Sequence, residues 1–106
     1  MRDYLTNFEL MILLAILRVG DEAYGVPVAR EIEKTGGRSV VLATVYAALD
    51  RLEANGLVSS TLGDPTPARG GRAKRLFRVT PSGLKAVRQA RRALTRLWAG
   101  LTQVEG

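Results

Sequence analysis

The sequence contains neither cysteine nor histidine among its 106 residues. Their absence rules out a disulfide framework and removes the usual zinc ligands and the commonest general bases. Acyl transfer by a serine or cysteine nucleophile paired with histidine is excluded as well. Carboxylates could still serve in acid–base chemistry, but none stands apart from ordinary helix-surface spacing. We therefore expect a protein that is not an enzyme and that needs no metal and no cofactor.

Long apolar runs are also missing. The longest, residues 10–17, falls well short of the roughly 20 residues that a membrane-spanning helix requires. The amino terminus shows no basic segment followed by an apolar segment and a small-residue cleavage site. These patterns predict a single-domain, cytoplasmic protein with no membrane segment.

Acidic residues are scarce in the second half of the chain. Residues 1–56 contain six Lys or Arg against eight Asp or Glu, whereas residues 57–106 contain ten against two, and the net charge is +6. A half-chain this basic favours a polyanionic partner, with nucleic acid first and an anionic membrane surface second. The alternative is a solvated basic surface that binds nothing.

Apolar periodicity predicts three helices in the first half of the chain. The first begins at Thr6, which forms a capping box with Glu9, and ends at Gly20. Its predicted inward residues are Leu10, Leu13, Leu14 and Leu17. The second helix runs from Tyr24 or Val26 to Thr35, with Pro27 in its first turn and with Val28 and Ile32 facing inward.

A short strand at Val40–Val41 is expected before the third helix, which spans residues 43–55. In this helix Val45, Leu49 and Leu52 recur at helical spacing and should face inward. Thr44 and Arg51 then lie on the opposite, polar side. Gly56 provides a left-handed stop.

The apolar period changes after Gly56 and predicts a hairpin. Residues 57–62 and 74–79 alternate as strands, and the loop between them is too long and too rich in Pro and Gly for a tight turn. Half of the ten residues from 69 to 78 are basic: Arg69, Arg72, Lys74, Arg75 and Arg78. The alternative to a binding role is a solvated flexible loop.

The last predicted helix begins at Thr80–Pro81 and runs to about Gln103, a length of about 35 Å. Its apolar residues recur at close to 3.5 positions: Leu84, Val87, Leu94, Leu97, Trp98 and Leu101. Three short helices cannot cover a stripe of that length. Part of this stripe therefore needs another partner, and these six residues are the candidate interface.

This order of elements predicts an α+β, mostly α fold: a winged helix-turn-helix with a long C-terminal dimerisation helix. Residues 1–80 form the DNA-binding domain, and residues 81–106 form the dimerisation helix of the same compact unit. A helix fits the major groove, where Thr44 and Arg51 could reach base edges and Tyr46 could reach a phosphate. Arginine on the hairpin suits a narrow minor groove. The alternative for the third helix is an amphipathic core helix with a solvated face.

Several segments resemble the DNA-binding domain of the PadR family. They are Tyr-Gly-Val at 24–26, Arg-Glu-Ile at 30–32, residues 43–53 (ATVYAALDRLE) and Asn-Gly-Leu-Val at 55–58. Residues 70–80 (GGRAKRLFRVT), together with Gly83, resemble the wing, second strand and helix start of that family. The resemblance runs from about Thr6 to Gly83 in the same order and spacing. The combination is specific, although each segment alone would be weak.

Four positions depart from the family pattern. Ala73 stands where the family usually has proline, and Leu76 and Phe77 stand where it has two tyrosines. Leu76 therefore lacks a hydroxyl that would touch phosphate. Pro27 falls where the family has a free amide, which puts contacts from that turn in doubt.

The resemblance implies a homodimer, joined through the C-terminal helix and the first helix of the other subunit. It also implies a roughly palindromic operator in double-stranded DNA, repression, and in some members release by a small aromatic compound. The predicted DNA contacts are Tyr24, Ser39, Thr44, Tyr46, Arg51, Arg69, Arg72, Lys74 and Arg75.

Trp98, the single tryptophan, is the candidate ligand-binding residue, because its flat ring stacks on aromatic molecules. A plain interface anchor is the alternative for this residue. For the whole protein, the alternatives are a winged-helix module that binds protein and a sequence-independent nucleic-acid binder.

Overall fold

The structure is a computed structural model that describes residues 5–63 and 74–103. Helix α1 spans Asn7–Val19 and is followed by a 3-10 turn at Gly20–Glu22, helix α2 at Gly25–Gly36 and helix α3 at Leu42–Ala54. Strands β1 (Val58–Leu62) and β2 (Arg75–Val79) precede helix α4 (Pro81–Trp98). The predicted mostly helical fold with a two-stranded wing is confirmed.

Helix α1 begins as predicted, with a reciprocal capping box. The Glu9 N–H donates to Thr6 Oγ1 at 3.1 Å, and the Thr6 N–H donates to Glu9 Oε1 at 3.0 Å. These bonds satisfy two amide groups that have no partner inside the helix. The Glu9 side chain is itself buried.

The predicted inward face of α1 is wrong in part. Leu13 is buried, but Leu14 and Leu17 are 42% and 46% exposed, and Ile12 and Ile16 fill the core instead. Residues 10–17 are apolar on every side of the helix, so periodicity alone cannot select the buried face. Packing against α2, α3, α4 and β2 selects it.

Helices α2 and α3 follow the predicted pattern. Val28 and Ile32 of α2 are buried, as are Val45, Leu49 and Leu52 of α3. Both helices pack against α1 and against each other. The φ of +75° at Gly56 gives the left-handed stop expected after α3.

The short strand predicted at Val40–Val41 is not formed. The Val40 N–H donates to the Glu33 carboxylate at 3.1 Å, and Val41 is the N-cap of α3. With its amide occupied in this way, Val40 cannot join a sheet. Strand β2 instead forms a backbone hydrogen bond at its free edge, where the Phe77 N–H donates to the Ala23 carbonyl at 2.8 Å.

The two strands pair antiparallel, from Val58 opposite Val79 to Leu62 opposite Arg75. Phe77 and Val79 face the core, as their alternation predicts, and Arg78 faces outward. The hairpin therefore lies against the helices through one face and leaves the other open.

Helix α4 begins where predicted, because the Thr80 hydroxyl accepts the Gly83 N–H at 3.0 Å and Pro81 occupies the first turn. The helix ends at Trp98, before the predicted Gln103, so it is about 27 Å long. Gly100, with a φ of +80°, turns the chain, and Leu101 lies beyond the helix. None of the helices in the described ranges has the length and hydropathy to cross a membrane.

Gly83 sets how closely α4 approaches the hairpin. A Cβ at this position would overlap the Leu57 carbonyl oxygen and would lie 2.7 Å from Val79 Cγ1. We expect Gly83→Ala to lower the free energy of unfolding by about 1–3 kcal/mol, as overpacking of a core does. Denaturant unfolding measures this change. The neighbouring exposed Ser82→Ala is the control and should stay within about 0.5 kcal/mol of the original protein; equal effects of the two substitutions would contradict the packing argument.

Candidate nucleic-acid interface

The amino-terminal end of α3 is open to solvent. Thr44 is exposed on the side of the helix opposite the buried Val45 and Leu49, and Ser39 is exposed in the turn before the helix. Both side chains can donate and accept hydrogen bonds. Helix N-termini also favour anions such as phosphate. The predicted contacts Ser39 and Thr44 therefore share one accessible edge.

Two apolar residues at the same edge were not predicted as contacts. Val41 is 67% exposed and Leu42 is 39% exposed at the start of α3. Apolar side chains at this end of a groove-binding helix can pack on the methyl group of thymine. The signal was present in the sequence as Val40–Val41, but a β-branched pair was assigned to a strand rather than to a helix cap.

The turn between α2 and α3 is anchored to α1 by Arg38. Its guanidinium lies 5.2 Å from the centre of the Phe8 ring, and Nη1 donates to Met11 Sδ at 3.9 Å. Arg38 remains exposed, so its charge lies beside Ser39. Because a lone arginine in a turn carries no motif, sequence patterns do not predict this cation as a contact.

Tyr46 lies against the first turn of α2. A Cβ at Gly25 would overlap Cζ and Oη of the Tyr46 ring, so the glycine makes room for the tyrosine. Tyr46 is half-buried and packs at the margin of the core. The structure thus shows that it fixes α3 against α2, and its predicted phosphate contact stays a prediction.

Tyr24 and Lys74 are brought together at the base of the wing. The Lys74 Nζ lies 4.1 Å from the centre of the Tyr24 ring, within the range of a cation–π interaction. Tyr24 is the N-cap of α2, and Lys74 immediately precedes β2. This contact places a cation from the hairpin next to the helix-turn-helix. Lys74 and Tyr24 are thus two predicted DNA contacts that the fold makes neighbours.

Arg75 is used within the chain. Its guanidinium donates to Asp50 Oδ1 at 2.9 Å, to Glu53 Oε1 and to Ser60 Oγ at 3.2 Å. The two carboxylates raise the pKa of Arg75. This cluster joins β2 to α3 and offsets part of the negative charge of two carboxylates on the helix. The prediction that Arg75 contacts DNA stays a prediction, and the geometry assigns it a positioning role.

Arg51 is also paired inside the chain. Its Nε lies 3.4 Å from Oε2 of Glu9, whose side chain is only 1% exposed, whereas Arg51 is 52% exposed. A buried carboxylate is costly without charged or hydrogen-bonding partners. Arg51 therefore supports the α1 cap, and its predicted base contact stays a prediction.

Arg69 and Arg72, the remaining predicted contacts of the wing, lie outside the described residues. Arg78, on the outer face of β2, is exposed and has no ion-pair partner in residues 5–63 and 74–103. Within these same ranges, no group of three acidic side chains could hold a metal ion.

The predicted dimer residues of α4 divide into two groups. Leu84 and Val87 are half-buried and pack against the core of their own chain. Leu94, Leu97, Trp98 and Leu101 are exposed, with Leu97 at 72% and Trp98 at 54%. The second group is thus the part of the apolar stripe that its own chain leaves uncovered. The dimer role of all six stays a prediction.

A groove of about 370 Å³ lies between the end of α1 and the outer face of the hairpin. Its walls include Leu17, Leu76 and Phe77, with Asp21 and Arg78 at the polar positions. Trp98 is not among the lining residues. The predicted ligand site at Trp98 therefore does not coincide with this groove.

A three-helix unit with an exposed helix start and a two-stranded wing defines a winged-helix transcriptional regulator. Residues 13–89 match the transcriptional regulator PadR-like family. The chain belongs to this family, whose members are regulators and not enzymes.

The chain is 39% identical over 77 residues to transcriptional regulator Rv3488 of Mycobacterium tuberculosis, a match that covers 73% of this chain and 67% of that protein. A transcriptional regulator from Clostridium thermocellum is 23% identical, with a TM-score of 0.72 and 92% of both chains covered. A PadR family transcriptional regulator from Eggerthella lenta is 22% identical, with a TM-score of 0.70 and coverage of 89% and 80%. The two structures show that this fold recurs.

The Arg75 cluster generates a prediction for stability and its pH dependence. Arg75→Met should lower Tm by a few degrees, because it removes bonds to two carboxylates, while Arg78→Met on the same strand should not. Hydrogen bonds from Ser60 and from Arg75 lower the pKa of Glu53. A lowered carboxyl pKa stabilises the fold above the pKa of the unfolded chain, and this contribution is lost as pH falls through the folded value.

Thermal unfolding at several pH values measures both effects. Glu53→Gln should melt below the original protein near pH 7 and approach it in acid, where Glu53 is protonated. Glu22→Gln, which changes the same charge on the exposed 3-10 turn, is the control. A Glu53→Gln deficit that persists unchanged in acid would show that the cluster does not stabilise the fold through this carboxylate.

Proposed function

We propose that the protein is a cytoplasmic, homodimeric repressor that binds a roughly palindromic operator in double-stranded DNA and releases it when a small aromatic effector binds. Membership of the PadR-like family supports DNA-binding regulation. The observation that carries the proposal is the exposed amino-terminal edge of α3, where Ser39 and Thr44 lie together in front of a well-packed helix.

In this proposal α3 enters the major groove with its amino-terminal end towards the bases. Thr44 supplies a hydrogen bond to a base edge, and Val41 supplies an apolar contact. Ser39 and the nearby charge of Arg38 meet the phosphates that flank the groove. Because Val45 and Leu49 are buried in the core, α3 keeps a fixed position relative to the rest of the domain. Specificity then depends on few side chains on a rigid support.

The wing supplies the second set of contacts. Lys74 is fixed over the Tyr24 ring, beside the helix-turn-helix, and can neutralise a phosphate without a large loss of side-chain freedom. Arg69 and Arg72, which precede Lys74 in the sequence, are the wing's candidates for minor-groove insertion. Because Arg75 offsets part of the charge of Asp50 and Glu53, these carboxylates repel an approaching duplex less.

Two exposed apolar surfaces support the homodimer. Leu94, Leu97 and Trp98 lie on α4, and Leu14 and Leu17 lie on α1. Exposed apolar surface of this extent is typical of a protein interface. A two-fold axis that buries the same surfaces on both subunits would duplicate α3, and half-sites about one helical turn apart would follow.

The aromatic effector is assigned to the dimer interface through Trp98. The indole is about half exposed in the single chain, so one of its faces can stack on a flat ligand between subunits. A ligand held there would set the distance between the two α3 helices, which is the quantity that operator binding depends on.

Selection of duplexes from a random pool tests the proposal. We expect a preferred duplex to bind roughly 10³-fold or more tightly than random DNA. Thr44→Ala should change the selected sequence. Lys74→Gln should keep the sequence but reduce the dependence of log affinity on log salt by about 0.9, the value for one lost phosphate contact.

The alternatives give different outcomes. A sequence-independent binder would show salt-sensitive affinity and no preferred duplex, and a protein-interaction module would bind no duplex at low ionic strength. Ser82→Ala, an exposed position in the first turn of α4 and outside α3, is the control and should leave the selected sequence unchanged. Either alternative outcome would refute the proposed function.

The dimer is tested by charged substitutions on α4. Leu94→Glu with Leu97→Glu should give monomers of 11.5 kDa in sedimentation, because two carboxylates would be buried in an apolar interface. Gln89→Glu, which is exposed on the other side of α4, should leave the dimer intact. Planar aromatic compounds should quench Trp98 fluorescence saturably in the dimer and not in the monomeric variant. A variant that stays dimeric would place the interface elsewhere.

A further inference from the structure

Helix α4 carries a second feature besides its apolar side. Its 18 residues include five basic side chains and no acidic one. Four of them follow each other at spacings of three, four and four residues: Lys85, Arg88, Arg92 and Arg96. At 3.6 residues per turn they occupy a strip about 80° wide and about 16 Å long. We name these four residues the α4 basic stripe.

The α4 basic stripe is exposed to solvent, and its charges have no acidic partner in the described ranges. All four side chains are exposed, and none of them forms an ion pair with any residue in the described ranges. Three other arginines of the fold are paired: Arg18 with Glu31, Arg51 with Glu9, and Arg75 with Asp50 and Glu53. Like charges three or four residues apart destabilise a helix. A stripe of this kind is therefore at its most stable beside a polyanion.

The stripe lies on the side of α4 that the rest of the structure does not use. Leu84 and Val87 face the core, and Leu94 and Leu97 extend the same apolar side about half a turn of the helix away from the stripe. A dimer formed through the apolar side leaves the stripe in solvent. Helix α4 packs against α1 and β2, and α1 packs in turn against α3, so α1 separates the helix that carries the stripe from α3.

We propose that the α4 basic stripe binds the phosphate backbone of a second DNA duplex while α3 occupies the first. A duplex presents one negative charge per 1.7 Å of its axis, so about ten phosphates lie along a 16 Å stripe. The contact would be independent of sequence, because exposed arginine and lysine side chains meeting phosphates do not select bases. One protein could then hold two DNA segments together.

The geometry favours DNA over a lipid surface. An amphipathic helix that lies on a membrane inserts its apolar side and keeps basic residues at the lipid headgroups. Here the apolar side of α4 is partly packed on the core, and the stripe is opposite to it. The helix therefore cannot place its apolar side and the α4 basic stripe against one bilayer at the same time. An acidic protein segment would also pair with these charges, and the experiment below distinguishes such a segment from DNA.

The test is capture of a second duplex. The preferred duplex, cut to about 20 base pairs, is immobilised and saturated with protein, and a fluorescent duplex of unrelated sequence is added. Two matched variants change the same charge on neighbouring residues: Arg92→Gln lies in the stripe, and Arg91→Gln lies outside it. A quadruple variant replaces all four stripe residues by Gln, which favours helix formation as Arg does.

The original protein should capture the second duplex, and the quadruple variant should lose at least tenfold in capture while binding the first duplex within twofold. The dependence of log capture affinity on log salt should fall by about 0.9 for Arg92→Gln and by three to four for the quadruple variant. Arg91→Gln should leave it unchanged. Circular dichroism should show that every variant remains folded.

Capture by the quadruple variant at the original level would overturn the proposal, as would equal effects of Arg91→Gln and Arg92→Gln. Binding of polyglutamate or of phosphatidylglycerol vesicles, with no second duplex captured, would overturn it in favour of another anion. The proposed function fails separately, when no preferred duplex exists. In that case, the affinity for random duplex DNA would still depend less on salt for Arg92→Gln than for Arg91→Gln.

Discussion

The burial of α1 is the constraint on which the other features depend. Ile12 and Leu13 are fully buried, and the helix packs against α2, α3, α4 and β2. A chain of 106 residues can form one modest core, and here α1 is at its centre. Each of the surrounding elements therefore buries one side against α1 and displays the other. The exposed edge of α3, the outer face of the wing and the basic stripe of α4 all arise in this way.

Two sets of cations in and around the helix-turn-helix have different roles. Arg75 and Arg51 are paired with carboxylates of neighbouring elements and hold the helices and the wing in place. Lys74 and Arg38 lie over aromatic rings close to α3, and their charge remains accessible. A basic composition thus overstates the number of charges available for DNA, because part of the charge is used inside the chain.

Much of the fold was predictable because local chemistry decides it. The capping box of Thr6 and Glu9, the glycine stop at Gly56 and the Thr80–Pro81 helix start are all formed as the sequence indicates. An error occurred where the local signal and the fold disagree. The β-branched pair at Val40–Val41 favours a strand, but the Val40 amide donates to the Glu33 carboxylate and Val41 is the N-cap of α3, without a side-chain capping bond.

The structure exposes some of the predicted DNA contacts and engages others within the chain. Ser39 and Thr44 are exposed at one edge, but Arg51 and Arg75 are engaged with Glu9, Asp50 and Glu53. These pairs join residues up to 42 positions apart in the chain, and no periodicity encodes them.

The sequence by itself determined where the helices and strands begin, which half of the chain is basic, and the family to which the chain belongs. Those properties depend on near neighbours or on composition. Only the tertiary structure decided which side of α1 is buried, which arginines remain accessible, and that the apolar and basic sides of α4 face different surroundings. These outcomes depend on contacts between segments that are distant in the sequence, and such contacts form only when the core packs.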